Sequence, residues 1–169
     1  VQRNPKIASA YMLLGKARYL DQRFVQALDA FNQVTKQKSS SSEINESKIW
    51  IAKCNIRLEQ EALAINGLKK LIKNDNLSAS NQAHANAVLS LAFLETGDKM
   101  SAMKPLKIAA NLNSGNKMKS RYLYILGQLY EDKNQIDSAQ IYFKQVSNFK
   151  RRIPRDLYIN AKLKDILYN

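Results

Sequence analysis

Cysteine and histidine are almost missing from this chain: its 169 residues hold one of each, Cys54 and His84. One cysteine excludes an internal disulfide. One Cys with one His argues against a zinc site or a Cys/His nucleophile. Glycine (5) and proline (3) are scarce, so tight turns are few, which argues against a sandwich or barrel. Acidic residues are also short, with 14 Asp and Glu against 27 Lys and Arg and a net charge of +13. That balance attracts anions without choosing among nucleic acid, acidic protein and membrane surface. No apolar run approaches the roughly 20 residues of a membrane span, and no signal peptide is recognisable. There is no glycine-rich phosphate loop and no carboxylate pair in a catalytic context. These absences point away from an enzyme and imply neither cofactor nor metal.

What is present is a globular composition, 45% hydrophobic and 24% charged, in a chain of one-domain length that buries roughly 70% of its unfolded surface. It is organised as an internal repeat. A small-residue column runs Gly15, Ala52, Ser90, Gly127. An alanine column runs Ala27, Ala64, Ala102, Ala139, and a bulky column Phe31, Leu68, Leu106, Phe143. Every column steps by 37, 38 and 37 residues, and spacing within a unit never changes. Length variation is therefore confined to the connections between units. Antiparallel helices approach closely only where side chains are small, and a helical Gly costs ~1 kcal/mol relative to Ala, so Gly15 and Gly127 imply a packing reason. Apolar spacing of three and four, as in Tyr11, Leu14, Ala17 and Arg18 or Leu123, Leu126, Leu129 and Tyr130, predicts helices. They are placed near 5–20, 23–37, 44–58, 61–73, 80–96, 99–112, 117–132, 135–148 and 155–168, with Asn4-Pro5 as a start and Asp98 as a cap. Ser39 to Ser42, Asn74 to Asn81 and Asn111 to Asn116 read as loops. Pro105 should kink its helix.

The columns resemble the tetratricopeptide repeat (TPR) over about residues 8–150. Leu126-Gly127, Tyr130, Ala139 and Phe143 carry the best match, then Leu14-Gly15, Ala27 and Phe31. The middle units have leucine in place of the aromatic, the terminal proline is missing, and the period exceeds the family's. The resemblance implies an all-α, right-handed TPR superhelix forming a single domain. Four helix-turn-helix repeats would lie at 8–41, 45–78, 83–116 and 120–153, with a C-terminal helix at 155–168 that is either a cap or half of a fifth unit.

Family members generally act as non-catalytic scaffolds that bind peptides, helices or partner proteins in a concave groove lined by first helices. The matching positions are Met12, Leu13, Lys16, Tyr19 and Leu20; Ile49, Trp50, Lys53, Ile56 and Arg57; His84, Val88, Leu91 and Leu94; and Arg121, Tyr124, Ile125, Gln128 and Glu131. Of these, Lys16, Tyr19, Trp50, Lys53, Arg57, Arg121, Tyr124 and Gln128 are the expected partner-binding residues, suited to a protein or peptide with apolar and acidic groups. Several of the apolar ones could instead pack between helices. A chaperone C-terminus fits poorly, because Lys16 and Trp50 stand where that clamp needs Asn. Cys54 is either inert in a core or activated by Arg57, and His84 is read as a packing or surface residue. The clusters Lys69, Lys70, Lys73 and Lys150, Arg151, Arg152, Arg155 fit a solvated face best, then an acidic protein surface. Nucleic acid is disfavoured without a recognition motif.

Two stretches, Tyr11–Phe31 and Arg152–Lys162, resemble the TPR lipoproteins of Bacteroidetes gliding motility and type IX secretion (the SprE/PorW type). That resemblance implies an adaptor within an envelope secretion complex. Its localisation would be periplasmic and outer-membrane-associated, through a lipid anchor outside this fragment. A cytoplasmic adaptor or regulator and an RNA-associated TPR protein are the alternatives.

Overall fold

The computed structural model describes residues 5–37, 39–73 and 77–168, and every regular element among them is helical. In order they are α1 (Pro5–Leu20), α2 (Phe24–Lys36), α3 (Ser41–Arg57), α4 (Glu61–Ile72), α5 (Ala79–Glu95), α6 (Lys99–Leu112), α7 (Asn116–Asp132), α8 (Ile136–Ser147) and α9 (Arg155–Leu167). A 3-10 turn, Lys150–Arg152, precedes α9. Each helix packs on its successor, and first helices also touch at α1–α3, α3–α5 and α7–α9. This is an all-α helical-repeat arrangement, as the columns require.

The small column has a direct steric cause. A Cβ on Gly15 would lie 2.6 Å from the Phe31 ring, and one on Gly127 would lie 2.7 Å from the Phe143 ring. Both rings are fully buried, so neither can move aside cheaply. Where the bulky partner is leucine, as Leu68 and Leu106, the small position tolerates Ala52 and Ser90. The hydroxyl of Ser90 is buried without a hydrogen-bond partner. The alanine column is buried throughout.

A further periodic feature escaped the sequence reading. Gln22, Glu59, Gly97 and Asn134 all adopt left-handed backbone, with φ of 59°, 58°, 78° and 57°. They close the turn inside each unit. The following N–H reaches back five residues in every case: Arg23 to Arg18, Gln60 to Asn55, Asp98 to Phe93 and Gln135 to Tyr130, at 2.8–2.9 Å. This is the Schellman ending, which satisfies carbonyls stranded at a helix C-terminus. Only one of the four is glycine, so composition concealed the turn.

Helix starts match the sequence reading with local corrections. α3 begins at Ser41, inside the expected serine loop, because Ser40 and Glu43 form a reciprocal capping box. Ser78 caps α5 by accepting from the Asn81 N–H, which draws Asn81 into the helix. The connection expected over Asn111 to Asn116 shortens to 113–115. Asp98 caps α6 through the Ser101 N–H at 3.0 Å. Pro5 opens α1, while Asn4 lies outside the described residues, as do 74–76 of the second expected loop. α6 runs unbroken through the buried Pro105. On α1 the spacing that predicts the helix does not mark its buried face: Leu14 is 40% exposed and Ala17 is exposed, whereas Ala8, Met12 and Gly15 face inward. α1 also shows apolar residues on its outer side, Leu13 and Leu20 among them.

α9 takes the place of a fifth first helix. It packs mainly on α8 and more lightly on α7, as each earlier first helix packs on the second helix before it. Ala161 is its fully buried contact. Its opposite side leaves Leu163, Ile166 and Leu167 exposed.

Two stability outcomes follow. Gly127→Ala should destabilise by about 1–2 kcal/mol, the clash with Phe143 outweighing the helix-propensity gain. Phe143→Leu in the same chain should recover part of that loss in a double-mutant cycle followed by urea unfolding. Glu59→Gly should stabilise by about 1 kcal/mol by relieving left-handed strain, read as a higher urea midpoint at unchanged slope.

Candidate functional site

Glu46, Trp50, Lys53 and Arg57 are spaced by four, three and four residues, so α3 presents them along one stripe. α1 lies alongside and contributes Lys16 and Tyr19. α2 contributes Phe24 and Phe31, and α5 contributes His84. Trp50 is the centre. Phe31 stacks on it, with centroids 5.6 Å apart and planes 17° apart. Tyr19 meets it edge-on at 5.3 Å and His84 at 6.1 Å. The Lys53 ammonium lies 3.6 Å from the indole centroid and 5.0 Å from that of Tyr19. Lys16 lies 5.7 Å from the indole. The Arg57 guanidinium lies 5.3 Å from the Phe24 ring, and Phe24 meets Tyr19 edge-on. Such contacts hold long cationic side chains against aromatic faces.

One carboxylate enters this set. Glu46 pairs with Lys16 at 2.7 Å and accepts from the Trp50 indole N–H at 3.4 Å. Three cations thus share this face with a single acid, which pairs with Lys16, leaving positive charge in excess. The electrostatics record it. Burial, then the Cys54 and Lys16 charges acting in opposite senses, leaves the Lys53 ammonium below its ordinary value. Burial first, then Lys53, pushes His84 down to about 4, with Glu46 opposing and Lys16 adding. His84 is therefore neutral near pH 7. Burial raises the Cys54 thiol to about 11, so Arg57 does not make it a thiolate.

Five of the expected residues, Lys16, Tyr19, Trp50, Lys53 and Arg57, come together here. Arg121, Tyr124 and Gln128 sit apart on α7: Arg121 and Gln128 are exposed, while Tyr124 packs edge-on against Phe143 at 5.4 Å. Their neighbour Glu131 is engaged by Lys164 of α9 and by Tyr168 just after it. Met12, Ile49, Ile56 and Val88 are buried packing residues, not groove residues. Leu13 is the converse, 70% exposed. Sequence reasoning missed Glu46, although its four-residue spacing from Trp50 marks it, and it gave Phe31 no part in the site. Among the described residues, no group of three or more His, Cys, Asp or Glu could hold a metal ion. No helix among them is long and apolar enough to cross a membrane.

His84 makes the cluster pH-sensitive with a definite sign. Unfolded, it protonates near 6.5; folded, it resists until about 4. Between those values the unfolded chain binds the extra proton, so stability falls as pH drops. The loss should reach about 2 kcal/mol by about pH 5. His84→Gln should flatten that slope in urea titrations run from about pH 7 to about pH 5.

No family model matches the chain, and no curated protein matches it. Solved structures do. The MamA protein superposes with a TM-score of 0.68 at 23% identity, covering 96% of this chain and 81% of its own. A Podosopora anserina protein with nearly identical TPR-like repeats gives 0.76 at 14% identity, covering 99% and 87%. YrrB, described as a TPR protein with an unusual peptide-binding site, gives 0.64 at 17% identity, covering 92% and 74%. At these identities the likeness concerns the fold, and the fold is that of the TPR helical repeat.

Proposed function

We propose that the face built by α1, α3 and α5 binds a segment of a partner protein, and that the chain works as an interaction scaffold without chemistry of its own. The ion pair of Lys16 with Glu46 carries this reading. One carboxylate already sits against Lys16 on a face where Lys53 and Arg57 lie against aromatic rings, which supports acceptance of another. A partner side chain with an acidic group and an apolar neighbour would meet Lys53, Arg57 and the Trp50–Tyr19 surface in the same way. YrrB, a fold relative, is itself a peptide-binding TPR protein. We place the chain in an envelope secretion or gliding-motility complex, as a periplasmic adaptor anchored outside this fragment. The stretches Tyr11–Phe31 and Arg152–Lys162 support that placement.

Calorimetry with a synthetic peptide alternating glutamate and leucine tests the binding mode. Trp50→Ala/Lys53→Glu should weaken binding about tenfold or more, and Glu46→Gln should tighten it by freeing Lys16. Unchanged affinity in the double variant would sink the groove reading. For the pathway, wild type and double variant are compared in affinity capture from source-cell lysate with periplasmic fractions. Envelope secretion or motility components recovered only by wild type are expected. Cytoplasmic or ribonucleoprotein components in their place would remove the pathway assignment.

A further inference from the structure

A basic cleft lies far along the chain from the Trp50 cluster. The segment joining α8 to α9 walls a cleft of about 960 Å³, with Lys150, Arg151, Arg152 and Arg155 around it and Phe149, Ile153, Tyr158 and Ile159 supplying its apolar lining. All four cations are exposed, and none takes part in the ion pairs formed among the described residues. The segment is pinned. Ile153 is buried in the core that joins α6 to α9, and Phe149 and Tyr158 pack against that core. The Arg152 N–H donates to the Phe149 carbonyl at 3.1 Å, and Lys150 holds left-handed backbone at φ 51°. A floppy basic tail would scatter its charges, whereas this turn fixes where they emerge.

The cleft continues into an apolar stripe. Ile159, Leu163 and Ile166 follow one another at helical spacing along α9 and are 40%, 61% and 62% exposed. Positive charge at one end and aliphatic surface leading away from it define a complementary ligand: carboxylates near one end, leucine-like side chains beyond. Three of the four cations are arginines, whose planar forks pair with carboxylates in bidentate fashion. Phe149 and Tyr158 are half-buried against the core and the surface leading away from the charges is aliphatic, whereas single-stranded nucleic acid requires successive aromatic faces for its bases. We propose that this cleft is a second docking site, for an acidic amphipathic segment of a partner protein, independent of the Trp50 groove.

Amide-resolved NMR titration with a peptide of acidic N-terminal and leucine-rich C-terminal half tests it at about physiological salt. Resonances of 149–159 should move on a saturable curve. Arg152→Glu/Arg155→Glu should weaken that curve about tenfold or more, and Ile159→Ser should weaken it at unchanged net charge. Lys53→Glu, in the groove, should leave it as in wild type, which separates this site from the one proposed above. Lys69→Glu/Lys70→Glu removes as much charge elsewhere. An equal loss in that variant, or shifts confined to the Trp50 region, would overturn the proposal. So would tighter binding of an oligouridine or of phosphatidylglycerol vesicles at the same residues.

Discussion

An aromatic ring lying on a glycine is the contact from which the rest of this molecule follows. Phe31 on Gly15 and Phe143 on Gly127 leave no room for a methyl group between the helices of the first and fourth units. The contact sets how closely each pair can approach. It also sets which residues can occupy the small column, since a leucine partner admits alanine or serine and a phenylalanine does not. The same ring then acts twice. Phe31 lies on Gly15 with one part of its surface and stacks against Trp50 with another. Trp50 in turn carries Lys53. A packing solution within one unit thus becomes the foundation of a charged surface on the next.

That chain of contacts explains why the cations of the groove are ordered. Lysine on an exposed helix loses rotamer entropy if held in place. Here Lys53 is covered by Trp50 and Tyr19, Arg57 by Phe24, and Lys16 is held by Glu46. His84 belongs to the same arrangement as a neutral wall, because a third charge beside Lys16 and Lys53 would be buried among like charges. The fourth unit repeats the motif with a different outcome. Phe143 again lies on a glycine and again meets aromatic neighbours, Tyr124 and Tyr168. There α9 supplies the lysine that answers Glu131, so that face is answered from within the chain. The first units answer Glu46 with Lys16, and Lys53 and Arg57 enter no ion pair among the described residues.

The helices and their pairing were legible because spacing alone carries them. Three columns of constant internal spacing over four units place the first eight helices to within a few residues. The errors have local causes: the capping box at Ser40 and Glu43 extends α3 backward, and Ser78 does the same for α5. On α1 the apolar pattern marks the helix but not its buried face, since Leu13, Leu14 and Leu20 are exposed. The left-handed turn residues stayed hidden because glutamine, glutamate and asparagine occupy three of the four positions. Backbone geometry imposed by packing, not residue preference, puts them there.

The candidate site was legible in part. Lys16, Tyr19, Trp50, Lys53 and Arg57 share a repeat position or a helix face, and periodicity finds such residues. What linear order could not supply is which of the equivalent positions meet. Arg121, Tyr124 and Gln128 hold the same kind of positions, yet Tyr124 is spent on Phe143 and their neighbour Glu131 on α9. By itself the sequence determined an all-helical repeat, its period, and the need for glycine under phenylalanine, because those depend on spacing and side-chain volume. Only the tertiary structure decided which cations gather on an aromatic floor and which stand alone. That depends on adjacent first helices coming side by side, and on a ninth helix taking up one face while leaving the other open.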